Sequence, residues 1–97
     1  MTRRYVLSPR AQLDLDEIWD YTARRWGIEQ AEAYIRQLWQ DIEAVAANPA
    51  SGRACPEVKA GYYKFRSGSH ILFFRLTKRG IDVVRILHGQ MDFEKHL

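Results

Sequence analysis

Cysteine, proline and long apolar stretches are all scarce in this 97-residue chain, which holds one cysteine and three prolines. Its longest unbroken apolar runs, 44–47 and 71–74, are four residues each, whereas a membrane-spanning helix needs about twenty. Residues 1–9 also lack the apolar core of a secretory signal. The lone cysteine, Cys55, cannot form an intramolecular disulfide. The sequence therefore predicts a protein without a membrane span that resides in the reducing cytoplasm.

Apolar and charged residues are both plentiful, at 46% and 28% of the chain. This composition is typical of a folded, soluble protein, and the length predicts a single domain spanning residues 1–97. The net charge of +3 is unevenly placed, because residues 9–47 hold eight acidic and four basic side chains. Residues 53–88 hold two acidic and eight basic ones. The basic half is expected to attract an acidic peptide or a nucleic acid.

Two amphipathic helices are predicted in the first half of the chain. Ser8 suits the N-cap and Pro9 the first helical position, because the N–H that proline lacks would have no partner there. Apolar residues then recur with helical spacing to Trp26, and Gly27 ends the helix. A second helical pattern covers 28–47, and the one-residue break predicts an antiparallel hairpin. The apolar stripe of the first helix comprises Ala11, Leu15, Ile18, Trp19, Thr22 and Trp26.

The remaining segments have the alternation of β-strands. Residues 4–7, 62–66, 70–76 and 81–87 are rich in aromatic and β-branched side chains, and turn-forming residues separate the last three. The order β-α-α-β-β-β predicts an α+β fold with the helical hairpin packed on one face of a small antiparallel sheet. Alternation predicts which side chains face the helices. They are Tyr63, Phe65, Leu72, Phe74, Val84 and Ile86.

The opposite face of the sheet is predicted to be open and basic. Arg66, Arg75 and Arg85 reach one surface if their three strands are antiparallel neighbours. Like charges placed side by side do not stabilise a sheet, so our preferred interpretation is a binding face for another macromolecule. Alternatively, the arginines are solvated or paired with acidic side chains, of which the candidates are Asp82, Asp92 and Glu94. The predicted open face comprises Tyr62, Lys64, Arg66, Phe73, Arg75, Val83 and Arg85.

No metal or cofactor site is predicted from the residue spacing. The acidic residues of the first helix spread around its circumference and are interpreted as solvated, near the positive end of the helix dipole. They are Asp14, Asp16, Glu17 and Asp20. The three histidines and Cys55 lack the spacing of zinc ligands, and Cys55 is interpreted as a small apolar or loop residue. Because the helical half is acidic, sequence-specific DNA binding by a helix-turn-helix is not expected.

Several segments, taken in chain order, resemble the ParE branch of the ParE/RelE superfamily of bacterial toxins. Residues 8–15, SPRAQLDL, are similar to the opening S-x-x-A-x-x-D-L of that branch. The other similar segments are 18–22, 26–31 and 34 in the helical hairpin, 49–53 in the loop, 61–62 and 68–75 in the central strands, and 84–88, 91–92 and 96–97 at the end. The likeness is collinear and covers nearly the whole chain.

The resemblance implies the toxin of a type II toxin–antitoxin pair, neutralised by a ParD-like antitoxin whose C-terminal tail wraps around it. It also implies an action on DNA gyrase, which ParE-type toxins trap with cleaved DNA. RelE-type relatives instead cut messenger RNA in the ribosome, so the fold alone does not decide the activity. We predict a toxin that works by binding, without catalytic residues.

Two surfaces are predicted to carry that binding. Leu13 and Tyr21 fall outside the apolar stripe of the first helix, so they are candidates for docking a partner. The predicted antitoxin-binding residues are Leu13, Tyr21, Lys64, Arg66, Phe73, Arg75 and Arg85. The C-terminal segment is the predicted contact with gyrase, through His88, Met91, Phe93, His96 and Leu97.

The alternative function is a RelE-like, ribosome-dependent mRNA endonuclease. RNA cleavage needs groups that take the 2′-OH proton, stabilise the phosphorane and protonate the leaving oxygen. Arg85 and His88, at the end of the last predicted strand, are the candidates for that chemistry. The sequence lacks the dense cluster of basic residues that ribonuclease relatives carry, and no tyrosine follows His88. A further alternative is a weak or inactive toxin whose main partner is its antitoxin.

Overall fold

The computed structural model describes residues 4–97. Its elements are, in order, β1 (Tyr5–Leu7), α1 (Pro9–Trp26), α2 (Ile28–Ala47), a 3-10 turn (Pro49–Ser51), β2 (Arg53–Ala54), β3 (Tyr63–Ser67), β4 (His70–Leu76), β5 (Ile81–His88) and α3 (Phe93–His96). The predicted α+β arrangement of a helical hairpin on a sheet is confirmed. The short elements β2 and α3 were not predicted. Within the described residues, no helix is long and apolar enough to span a membrane.

The five strands form one mixed sheet in the order β1-β5-β4-β3-β2. The pairs from β2 to β5 are antiparallel, whereas β1 runs parallel to β5, with Tyr5 beside Ile81 and Leu7 beside Val83. Because β4 occupies one side of β5, its other side remains open for β1. The sequence had predicted a wholly antiparallel sheet. The sheet is instead mixed, because β1 is parallel to β5.

Local capping fixes the ends of α1, and the same cap joins the helix to the sheet. The Ser8 Oγ accepts a hydrogen bond from the Ala11 N–H at 3.0 Å and donates one to the Val84 carbonyl at 2.7 Å. At the other end, Gly27 has a φ of +98°, a conformation that favours glycine, and its N–H bonds to the Ala23 carbonyl. The predicted boundary between the two helices is confirmed.

The first core lies between the helical hairpin and the sheet. Fully buried Leu38 and Ile42 of α2 pack with Leu72 and Phe74 of β4. Tyr63 and Phe65 of β3 pack at its margin, so these strand residues face the helices as predicted. Its other buried members are Ala11, Leu15, Ile18, Val45, Ala46, Ile81, Val83 and Ile86.

A second, smaller core covers the face of the sheet that was predicted to be open. The segment between β2 and β3 and the C-terminal segment both fold back onto this face. Cys55 is fully buried there, as its interpretation as a small apolar residue predicted, and burial raises the pKa of its thiol. The other buried members are Tyr62, Ile71, Phe73 and Leu87, and Val58, Val84, Phe93 and Leu97 pack against them.

A β-bulge in β5 changes which side chains face the helices. Phe73 lies opposite Arg85 and Phe74 opposite Val83, so Val84 is an extra residue on β5. Val83 consequently belongs to the first core and Val84 packs against the second. The prediction for these two valines was therefore wrong, because strict alternation does not hold across a bulge.

Candidate functional site

A buried ion pair joins Arg85 of β5 to Asp14 of α1. The Arg85 Nε and Nη2 donate to the two Asp14 carboxylate oxygens at 2.8 and 3.0 Å. Both residues are nearly inaccessible, with exposures of 9% for Arg85 and 5% for Asp14. Such a two-pronged contact uses the fixed geometry of the guanidinium.

The pair forms where β1 stops covering the edge of β5. β1 reaches only as far as Val83, and beyond it the Asp14 carboxylate accepts the backbone N–H of Ile86 at 2.9 Å. The Arg85 Nη1 donates at 2.9 Å to the carbonyl of His96 in α3. Arg85 therefore connects α1, β5 and the C-terminal segment through one side chain.

The prediction that Arg66, Arg75 and Arg85 share one open face is wrong about its being open. Strand pairing places all three on the side of the sheet that carries the second core, but that side is covered. Arg85 is buried beside Asp14, and its contacts point toward α1 and α3. Arg66 lies opposite Ile71 of β4, four residues from Arg75, which corresponds to about 13 Å along the strand. The three guanidinium groups thus have separate environments.

The cations that remain exposed are distributed along the sheet. Arg75 donates to Asp82 at 3.0 Å, and this hydrogen bond, with the attraction between the charges, raises the pKa of Arg75. The alternative pairing with Asp82 is therefore realised at this position. Lys64 is half-buried and lies 4.0 Å from Glu57. Arg66 is exposed, and none of the ion pairs among residues 4–97 includes it.

Phe73 was predicted to be an accessible antitoxin contact. It is instead fully buried in the second core. Its ring centroid lies 4.8 Å from that of Phe93. Phe93 and Leu97 are themselves partly buried against this core, whereas His88, Met91 and His96 are exposed. The predicted gyrase-contact segment is therefore divided into two anchoring residues and three accessible ones.

Leu13 and Tyr21 are exposed, as their position outside the apolar stripe predicted, with exposures of 42% and 61%. Trp26, which the stripe placed in the core, is instead 61% exposed at the tip of the hairpin. Its ring contacts Tyr21 edge-on, with centroids 6.2 Å apart. The Arg25 guanidinium lies 5.2 Å from the centre of the Trp26 ring. The tip thus presents aromatic rings to solvent.

A cleft with a volume of about 490 Å³ opens between this tip and the ends of β4 and β5. We call it the hairpin-tip cleft. Its lining residues are Glu17, Ile18, Tyr21, Thr22, Trp26, Gln30, Tyr34, Ser69, His70 and His88. Its polar groups come from both helices and from the sheet, so only the tertiary fold brings them together.

Hydrogen bonds hold the polar end of the cleft in place. The Tyr34 hydroxyl accepts the Ser69 N–H at 2.9 Å and lies 2.6 Å from the His70 Nδ1. Burial, with a smaller contribution from His88, lowers the pKa of His70 to about 4. At neutral pH the His70 ring is therefore uncharged. We assign the Tyr34 hydroxyl as the donor of the hydrogen bond to the His70 Nδ1, so the proton of the neutral ring lies on Nε2.

The His88 ring completes this end of the cleft. It meets the His70 ring edge-on, with centroids 5.4 Å apart. The His88 Nδ1 accepts the backbone N–H of Gln90 at 3.2 Å. Arg85 and His88, the candidate catalytic pair of the ribonuclease alternative, do not line one site. His88 lines the cleft, whereas Arg85 is bound to Asp14. Within residues 4–97, no three potential metal ligands form a group.

Comparison with known proteins decides the family. The family model described as the ParE toxin of the type II toxin–antitoxin system, parDE, matches residues 5–93. The chain belongs to the ParE toxin family. It is 55% identical to Toxin ParE1 of Mycobacterium tuberculosis over 98 residues, which cover all of both chains. It is 44% identical to Toxin ParE1 of Caulobacter vibrioides over 93 residues, or 96% of each chain.

A solved structure with the same fold is the chromosomal ParDE toxin–antitoxin system of P. aeruginosa. The superposition has a TM-score of 0.77 and covers 87% of this chain and 92% of the other, at 20% sequence identity. At this identity the likeness bears on the fold alone. The chain is thus a ParE-family toxin of the type II class, built on the fold of that structure.

In this ParE-family toxin, two features of the site were not predicted from the sequence, namely the burial of Asp14 and the hairpin-tip cleft. Asp14 was interpreted as solvated, yet it lies three residues after Ala11 and four before Ile18, on the buried side of α1. That helical spacing is the signal that could have identified it. The hairpin-tip cleft had no comparable signal, since its residues are scattered between positions 17 and 88.

Proposed function

We propose that this ParE-family toxin is neutralised by a ParD-like antitoxin and poisons DNA gyrase by binding, without hydrolytic chemistry. Family membership supports the toxin role. The observation that carries the choice of binding over catalysis is the buried ion pair of Arg85 with Asp14. A guanidinium held by two carboxylate oxygens and a backbone carbonyl is committed to the fold, so it is a poor candidate for stabilising a phosphorane.

The antitoxin is proposed to bind across the exposed apolar and basic groups on two sides of the molecule. Leu13 and Tyr21 on α1 offer accessible apolar surface, and Lys64, Arg66 and Arg75 offer cations for acidic groups of a tail. Exposed ion pairs contribute little affinity by themselves, so apolar contacts supply most of it. Phe73 and Arg85 act indirectly, by holding the second core and α3 in place.

Gyrase contact is proposed for the exposed residues of the C-terminal segment. His88, Met91 and His96 are accessible, while Phe93 and Leu97 anchor the segment to the sheet. Because α3 is fixed through Arg85 as well, these residues form a preorganised surface, which lowers the entropic cost of docking.

Two assays run side by side test the target. Purified toxin is incubated with gyrase, ATP and supercoiled plasmid, and cleaved linear DNA is measured after protein digestion. In parallel, ribosome-bound messenger RNA is examined by primer extension. Accumulation of cleaved DNA that ceases on addition of the antitoxin, together with intact messenger RNA, is the expected result. Shortened messenger RNA without cleaved DNA would overturn the proposal in favour of the ribonuclease, and no effect in either assay would favour an inactive toxin.

A further inference from the structure

The proposal above uses only Tyr21 and His88 of the residues that line the hairpin-tip cleft, and it assigns no ligand to the cleft itself, although the chemistry of the cleft is specific. Five of its ten lining side chains carry aromatic rings, namely Tyr21, Trp26, Tyr34, His70 and His88. Glu17 contributes the one carboxylate, and neither lysine nor arginine occurs among these ten described residues. Such a cleft combines electron-rich aromatic rings with one acidic side chain.

Aromatic faces and a carboxylate together favour a cation. Ring faces carry negative electrostatic potential and attract guanidinium and ammonium groups. A planar guanidinium also stacks on aromatic rings and pairs with a carboxylate through two hydrogen bonds. The molecule already shows this preference at the hairpin tip, where the Arg25 guanidinium lies 5.2 Å from the centre of the Trp26 ring.

The polar end of the cleft does not counteract this preference. The His70 ring is uncharged at neutral pH, because its pKa lies near 4. Its Nδ1 is occupied by the Tyr34 hydroxyl, and the His88 Nδ1 by the Gln90 N–H. The phosphates of a nucleic acid are disfavoured on the acidic helical hairpin beside it.

We propose that the hairpin-tip cleft binds the guanidinium of an arginine presented by the antitoxin tail, stacked on the aromatic walls and paired with Glu17. This inference rests on the proposed function for its source of arginine. The tail then meets opposite charges at two places, Glu17 in the cleft and the cations of the sheet, so its direction along the toxin is fixed.

A small-molecule titration tests the cleft without any antitoxin. N-acetyl-arginine amide is added to the full-length toxin, and chemical shifts of the Trp26 indole and the His70 and His88 rings are followed by NMR. N-acetyl-citrulline amide, which has nearly the same shape without the charge, is the matched probe. The arginine probe is expected to shift these signals in a saturable way, and the citrulline probe to bind at least about fivefold more weakly. Equal binding of both probes, or shifts confined to other regions, would overturn the proposal.

Charge-removing variants then test the carboxylate. Glu17→Gln is compared with Asp20→Asn, an exposed acidic residue of the same helix that does not line the cleft. Glu17→Gln is expected to weaken the arginine probe about fivefold, with little change for Asp20→Asn. Adenosine monophosphate is the competing probe, and tighter binding of the nucleotide to the same residues would replace the proposal with a nucleobase site.

Antitoxin affinity tests the source of the arginine. The cognate antitoxin is titrated into both variants by calorimetry, and only Glu17→Gln is expected to lose affinity, by about fivefold or more. Equal affinities of the two variants would overturn the assignment to the antitoxin tail. If no antitoxin binds even the unaltered toxin, the proposed function fails, while the probe titration still decides the cleft.

Discussion

Replacement of Arg85 by alanine should destabilise this toxin far more than replacement of Arg75, although both are strand arginines paired with aspartate. Arg85 and Asp14 are almost fully buried, and Asp14 also holds the Ile86 N–H. Removing one partner of a buried ion pair costs about 3–5 kcal/mol, because the other charge is left without compensation. Arg75 and Asp82 are accessible to water, so Arg75→Ala should leave the stability nearly unchanged.

The expected loss is large compared with the stability of a small domain. Domains of this size unfold with about 5–15 kcal/mol, so Arg85→Ala removes a substantial part of that free energy. The assay is equilibrium unfolding in urea, followed by tryptophan fluorescence. With a denaturant dependence of about 1.5–2 kcal/mol per molar urea, the midpoint should fall by about 2 M. Arg85→Lys should fall in between, because it keeps the charge but loses the two-pronged contact.

A double-mutant cycle separates the ion pair from general damage. Asp14→Asn keeps an oxygen that accepts the Ile86 N–H, and Arg85→Met keeps an apolar stem of similar length. The double variant should be more stable than the sum of the two single effects predicts, because neither charge is then left buried alone. Additive effects, or an Arg85→Ala variant as stable as Arg75→Ala, would refute the importance given to this pair.

Three further predictions concern the turn, the cleft and the second core. Gly80→Ala should destabilise the toxin strongly in urea unfolding, because a Cβ there would lie 1.8 Å from the Arg4 carbonyl oxygen. Gly61 also has a positive φ but has open space around it, so Gly61→Ala should lower the free energy of unfolding by only about 1–2 kcal/mol. His70 has a folded-state pKa of about 4, below its unfolded value near 6.5, so its contribution to stability should be complete above about pH 6.5 and decline down to about pH 4. His70→Asn should flatten that decline, and an unchanged pH profile would contradict the assigned neutral ring. Phe93→Ala should cost about 1–2 kcal/mol through the lost packing on the second core, measured against Met91→Ala, whose side chain is exposed.

Much of the fold could be predicted from the sequence because its signals are local. Ser8 and Gly27 mark the ends of α1 by capping and by a positive φ, which depend only on neighbouring residues. The helical and strand periods likewise identified α1, α2 and the three long strands. β2 and α3 were missed because two and four residues are too short to show a period.

The candidate site was predictable only in part. Leu13 and Tyr21 were correctly expected at the surface, since a helix of known extent fixes their direction. Phe73 and Trp26 were misplaced, because burial at the second core and at the hairpin tip depends on segments distant in sequence. His70, His88 and Glu17 could not be grouped beforehand, as no spacing relates them.

The sequence by itself determined the order of helices and strands and, through its collinear motifs, the family to which the toxin belongs. The tertiary structure decided where the charges reside. One extra residue in β5 shifts the alternation of the strand. β1 pairs with β5 only as far as Val83, so the edge beyond it is free for Asp14 to contact Arg85 and Ile86. The bulge depends on how β5 pairs with β4, and the Asp14 contacts join residues about seventy positions apart, and local patterns encode neither.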